Sequence, residues 1–351
     1  MGSLRLFLAL SVALGHFGMG PGLPTSDVAV QCFYVMSGFY MALVLNEKYG
    51  PGSYWLFISN RVLRLWPTYI VVAALSFAVT DNWRPLAALN LPSLAYFAAS
   101  QILILGQDTY VFLFIKNGAL AATLHPAGLL GLLYTHAPVP QAWTLALESY
   151  FYLLAPLVVR RGPVVIAGVI ALSLLVRATL LAFGFSGEPW TYRFFPNELA
   201  LFLAGSLGYH IYSSRSDDQR KRVQFGLALV AGLLFVCLAI SNWGGVSRLP
   251  SLSLLVAVIF GIPSLFEQTK NIPWDRYLGE LSYPLYICHY MFGWLLLPET
   301  AASRYLALSL SLLTSMLLYR WLEQPIDRWR QTRFRKAPAA TETSGLVQAV
   351  S

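Results

Sequence analysis

The chain has 351 residues, 57% of them hydrophobic and only 11% charged, with a mean hydropathy of +0.59. That balance excludes an ordinary soluble domain. Because apolar runs recur between short polar turns, it points to an all-α, polytopic integral membrane bundle. The net charge of +8 would suit a nucleic acid, but the basic residues gather at the ends of apolar runs, as in cytoplasmic loops, so no nucleic-acid partner is expected. Cys32, Cys237 and Cys288 are scattered through apolar runs and suggest neither a disulfide framework nor a metal site.

The first apolar run, about 4–18, carries Arg5 and His16. Eleven helical steps are about three turns, so both side chains fall on nearly the same face, roughly 16 Å apart. An imidazole inside such a run is costly unless it faces the bundle or water. His16 is therefore either a structural histidine satisfied by a neighbouring helix or a functional group. No small-x-small cleavage site follows, so the run is expected to be a retained helix rather than a secretory signal. The run closes in the turn 18–24.

A second span covers about 27–45. In it, Gly38 permits close helix approach, and Ser37 either bonds a carbonyl one turn back or acts as a nucleophile. A loop with Lys48, Arg61 and Arg64 follows, and a third span is expected to start at Pro67 and end near 80. Arg61 and Arg64 are spaced i, i+3 and share a helix face, where two guanidiniums suit a polyphosphate or anionic lipid headgroups. Residues 81–142 hold two weaker apolar patches, about 94–106 and 119–134, read as two short spans or a re-entrant hairpin.

Further spans are expected at about 143–159, 163–183, 194–212, 223–241, 250–266, 281–297 and 305–322. Arg160, Arg161, Arg215, Arg220, Lys221, Arg222, Lys270 and Arg276 fall on one side, whereas the opposite loops carry only Arg84, Glu188, Arg248 and Glu299. Both termini are thus expected in the cytoplasm, with about ten helices, or twelve if both patches span. Residues 1–327 form the membrane domain; 328–351 are expected to be a basic, then disordered, cytoplasmic tail. Charges within apolar runs (Glu148, Arg177, Arg193, Glu198, Glu280, His289, Arg320) mark candidate sites or structural ion pairs. His289 adjoins Cys288, but neighbouring helix positions diverge too far for a Cys-His dyad.

Taken together, these residues resemble the membrane-bound acyltransferase-3 family of bacterial O-acyltransferases, over about 3–327. That family's first helix carries an Arg, ten residues, then a His, as Arg5 and His16 stand here. Its second carries an FxxSGF-like block, here 33–39. A block RxxRLxPxY follows as Arg61, Arg64, Leu65, Pro67 and Tyr69, and a W-[ST]-L-x-x-E-x-x-FY…P block as Trp143, Glu148, Phe151, Tyr152 and Pro156. LSYPLYICH at 281–289 and LEQP at 322–325 are also similar to family blocks.

The resemblance implies transfer of an acyl group, usually acetyl, from cytoplasmic acyl-CoA to a hydroxyl of an extracytoplasmic glycan or lipid-linked sugar, in a bacterial inner membrane. Acyl-CoA would be a substrate, with no permanently bound cofactor and no metal. Some members carry an added periplasmic SGNH domain; here a second acceptor-side step would need a separate periplasmic partner. On this reading His16 is the base or a covalent acyl carrier, and Arg61 and Arg64 hold the CoA phosphates. Arg5 grips the pantetheine arm or a phosphate, Glu148 sits on the outer side to orient the acceptor or polarise His16, and Ser37 and Tyr69 contact substrate. Trp143, Tyr150 and Tyr152 stack on sugars or anchor at the interface. The rival class is a transporter or flippase for a glycan or lipid-linked precursor; a non-catalytic scaffold would leave His16 and Glu148 without a role.

Overall fold

In lipid every backbone N–H and C=O must be bonded within its own segment, so apolar runs of this kind fold as helices. The computed structural model describes residues 1–19, 24–50, 52–214, 216–240, 249–297 and 299–336. Arg215, Arg248, most of the expected turn at 18–24 and the tail at 337–351 lie outside the described residues.

The helices, in chain order, are α1 (Gly2–His16), α2 (Ser26–Glu47), α3 (Tyr54–Val79), α4 (Leu91–Leu103), α5 (Trp143–Val158), α6 (Pro163–Ala182), α7 (Phe195–Tyr212), α8 (Asp217–Ile240), α9 (Leu249–Thr269), α10 (Pro273–Leu296), α11 (Ala301–Leu318) and α12 (Gln324–Lys336). A π-helical turn, Tyr319–Glu323, joins α11 to α12. Among the described residues, seven stretches are long and apolar enough to cross a membrane: α2, α3, α5 with its flanking turns, α6, α8, α9, and α11 continued into α12. α1, α7 and α10 fall outside that set. With 15 residues, α1 spans only about 22 Å, and α10 opens with charged turns.

One expectation changes. The third helix does not begin at Pro67 but runs from Tyr54 through it, so Arg61 and Arg64 lie on a helix, not in a loop. Pro67 removes only its own N–H bond, and the turns on both sides continue. The basic stretch after 327 is helical as far as Lys336; α12 docks on α3, with Arg333 donating to Asn60 Oδ1 (3.1 Å) and Ser59 Oγ (2.9 Å).

Residues 81–142 form neither a pair of long spans nor a purely helical hairpin. Asn90 caps α4 by accepting from Ser93 N, and its own N–H bonds Gly118 O. α4 then runs in against the middle of α3, where the Trp66 indole donates to Ile102 O (2.8 Å) and the Tyr69 hydroxyl to Gln101 Oε1 (2.6 Å). The chain returns through β1 (Leu113–Lys116) and β2 (Ala119–Ala122), an antiparallel hairpin closed by Asn117-Gly118, both at positive φ. Its tip meets Asn90 again, so the segment enters and leaves at one end of the bundle, the re-entrant form of the two arrangements. The short apolar patch 119–134 conceals this hairpin because its alternation is too brief to register.

α2 is the most buried of the seven stretches, 78% of its apolar window lying inside the protein. It meets α7 at two glycines: a Cβ on Gly38 would fall 1.7 Å from Phe202 O, and one on Gly205 1.8 Å from Val35 O. Beside this seam, fully buried Arg177 bonds Thr191 O, Asn197 O and Glu198 Oε1, and Gln31 bonds the same carboxylate. Gly38→Ala or Gly205→Ala is expected to cost at least ~1–3 kcal/mol, read as a lowered melting temperature in detergent. Gly168→Ala, in open space on α6, should be neutral or slightly stabilising.

Candidate active site

The site begins where α1 lies parallel to α10. The first N–H groups of a helix lack internal partners; here Asp275 on α10 takes them, accepting from Gly2 N (2.7 Å), Ser3 N (2.8 Å) and Ser3 Oγ (2.8 Å). Gly2 is required, since a Cβ there would lie 1.6 Å from Asp275 O. Fourteen residues separate Gly2 from His16 and Asp275 from His289, so the pinned ends bring the two imidazoles level, about 21 Å along. His16 Nδ1 lies 2.9 Å from His289 Nε2, with the rings stacked at 5° and 5.1 Å between centroids. His289 is fully buried, and its Nδ1 lies 3.3 Å from Leu285 O. His16 is exposed on the part of the ring that His289 does not cover, beside Tyr290 (4.6 Å between centroids).

Glu148 is elsewhere. Its Oε1 accepts from Ser37 Oγ (2.8 Å) and Tyr152 OH (2.5 Å). Ser26 packs on Gly15 beside His16, and Ser37 is eleven residues further along α2, about 16 Å deeper. Glu148 therefore sits toward the Gly2 end of α1 rather than beside the imidazoles; the partner of His16 is His289. Phe33, Ser37 and Tyr40 form a half-buried stripe on α2 at i, i+4, i+7 spacing. On so enclosed a helix this open stripe faces other helices, as the Ser37–Glu148 bond and the Phe33–Tyr286 ring contact demonstrate. The SG dipeptide thus divides its labour: Gly38 packs on α7, and Ser37 turns toward Glu148.

The two arginines of α3 differ. Arg64 is held by Glu280 Oε2 (2.6 Å) and Glu323 Oε2 (3.5 Å), the latter carboxylate also accepting from Thr68. Arg61 lies over Phe57 (5.4 Å) and Tyr152 (5.8 Å), and its buried Nε has no hydrogen-bond partner among the described residues. The side chain of half-buried Arg5 likewise makes no hydrogen bond or ion pair among them, though its charge acts on Tyr40, Glu280 and Glu323. Tyr69 is engaged with Gln101 and Gln107 and secures the re-entrant segment.

On the other side of the histidines, Trp143 is 5% exposed. Arg193 covers it at 4.6 Å, also faces Tyr134 (5.3 Å), and pairs with Glu188. The Arg193 charge acts on His16, Tyr286 and Tyr290. Tyr150 donates to Asp108 and receives Gly106 N, and Tyr152 donates to Glu148. Sequence reasoning did not assign His289 or Arg193 a role, although both stand out as ionisable groups within apolar surroundings. Among the described residues no group of three His, Cys, Asp or Glu could hold a metal ion.

A family model described as an acyltransferase domain matches residues 2–332. No curated protein and no solved structure matches the chain. The matched region includes the histidine pair, both α3 arginines and the first nine of the thirteen residues of α12. From the geometry, Arg64→Ala strands two carboxylates and is expected to cost ~3 kcal/mol of stability, whereas Arg61→Ala loses only its ring contacts, about 1 kcal/mol. Thermal unfolding of the purified variants in detergent checks the split.

Proposed function

We propose, from the premise that the chain belongs to the acyltransferase-3 family and is therefore a multi-pass membrane enzyme that transfers acyl groups, that its donor is cytoplasmic acyl-CoA, with acetyl favoured. Its acceptor is a hydroxyl of an extracytoplasmic glycan or lipid-linked sugar. The observation that carries this reading is an open imidazole, His16, held by a buried partner, with two half-buried arginines, Arg61 and Arg5, whose side chains lack hydrogen-bond and ion-pair partners among the described residues, on the side of it toward the start of α1. The end of the bundle that gathers Arg160, Arg161, Arg276 and α12 is the cytoplasmic one by its charge. α1, α7 and α10 then cross as well, giving ten spans with both termini inside, in a bacterial inner membrane.

Polyphosphate needs guanidiniums that are not already neutralised. Arg61 meets that requirement with its unpartnered Nε, and Arg5 offers a second free charge. Arg64, held by two acids, shapes the site rather than binding the donor. Between these cations and His16 the thioester arm passes Ser37, Tyr152 and Glu148, whose oxygens can bond its amides. At the far end His16 takes the proton of the acceptor hydroxyl as its oxygen attacks the thioester carbon. The C–O bond forms, the C–S bond breaks, and the proton passes to the departing CoA thiolate. The same nitrogen serves a two-step route in which the acyl group first rests on His16. Trp143 and Tyr134 keep Arg193 in place on the acceptor side.

The test is turnover of radiolabelled acetyl-CoA by purified protein in liposomes, with and without a glycan acceptor. His16→Ala is expected to lower transfer ~100-fold or more while remaining folded. Arg61→Ala is expected to raise the donor KM about tenfold with kcat nearly unchanged. Glycan crossing the bilayer without donor consumption would establish the transporter instead.

A further inference from the structure

The histidine pair contains a constraint on where its protons sit. Leu285 O is a carbonyl and can only accept, so the His289 Nδ1 that faces it at 3.3 Å carries a hydrogen. His289 is fully buried, and no carboxylate bonds its ring. A second proton would place an unpaired charge in an apolar interior, so the ring stays neutral and its Nε2 is an acceptor. His16 Nδ1, 2.9 Å away, must then be the donor. Both Nε2 atoms are then without a hydrogen, but that of His289 is engaged by His16, so the one free lone pair of the pair is on His16 Nε2.

We infer that His289 is a positioning residue: the chain Leu285 O, His289, His16 Nδ1 locks His16 in the Nδ1–H tautomer and turns its basic Nε2 toward the acyl group and acceptor. The order matters for chemistry. A free imidazole divides itself between two tautomers and rotates about its bonds to the backbone; one bonded at Nδ1 does neither, and its lone pair always faces the same way. When His16 takes a proton at Nε2, the charge is shared with His289 through the Nδ1 hydrogen bond. The bond also forms between chain segments 273 residues apart, so the base is oriented only once α10 has docked beside α1. This inference rests on the proposed role of His16 in acyl transfer.

The test combines kinetics with a spectrum. His289→Leu removes the acceptor and is expected to lower kcat ~100-fold, with the KM values for donor and acceptor within about twofold of wild type. His289→Gln offers an amide oxygen near the lost Nε2 and is expected to recover kcat to within about tenfold; a purely packing role would make Leu the better replacement. Independently of activity, ¹⁵N NMR of histidine-labelled wild-type protein in liposomes is expected to find both His16 and His289 protonated at Nδ1 and bare at Nε2. The two signals are assigned by their loss in the His16→Ala and His289→Gln variants. Wild-type kcat in His289→Leu, or a hydrogen on His16 Nε2 in the resting protein, would overturn the inference. If His289→Leu does not fold, the spectrum decides alone. An active His16→Ala enzyme would instead remove the base itself, so the two failures are distinct.

Discussion

Everything in the site depends on the parallel pairing of α1 with α10. The register between two helices in lipid is weakly fixed by apolar contact, because side chains pack nearly as well against lipid as against each other. Here a carboxylate, Asp275, captures the unbonded N–H groups at the head of α1, and Gly2 and Gly279 let the backbones touch. A slip by one residue would break those bonds and drive a Cβ into a carbonyl. Fourteen residues later on both helices, the same register presents His16 to His289.

The treatment of buried arginines separates structure from function. Arg177 is completely buried; its terminal nitrogens meet three acceptors, which is what an interior guanidinium needs if it is only to join helices, although its Nε, like that of Arg61, has no partner among the described residues. Arg64 has two carboxylates. Arg61, one turn away on the same helix face, has two aromatic rings and an unpartnered Nε. What sets Arg61 apart is that its side chain makes no hydrogen bond or ion pair among the described residues, so its charge is not neutralised.

Much of this could be read in the sequence because it is local. The Arg5–His16 spacing gives a shared helix face from helical geometry alone, and the family blocks single out Glu148 and Ser37 as separate candidates. What could not be read is set by distance along the chain. Glu148 bonds Ser37, 111 residues away, and its partner Tyr152 lies under Arg61, so it belongs with the α3 arginines; nothing in the WTLALESYFY stretch distinguishes that from a place beside the imidazoles. The i, i+3 spacing of Arg61 and Arg64 suggested a matched pair, but Glu280 and Glu323, from helices near the other end of the chain, make them unequal. Pro67 read as a helix start because proline favours that position, yet an interior proline is tolerated where the turns around it are packed.

The central claim is that a thioester reaches the free nitrogen of His16 from the Arg61 end while the acceptor arrives from the Arg193 end. The most direct measurement is an electron cryo-microscopy structure with a non-transferable acyl-CoA analogue bound. The account predicts its phosphates at Arg61 and Arg5, its arm beside Ser37 and Glu148, and its acyl carbon against His16 Nε2. Phosphates bound at the Arg193 side, or an acyl group remote from His16, would contradict it.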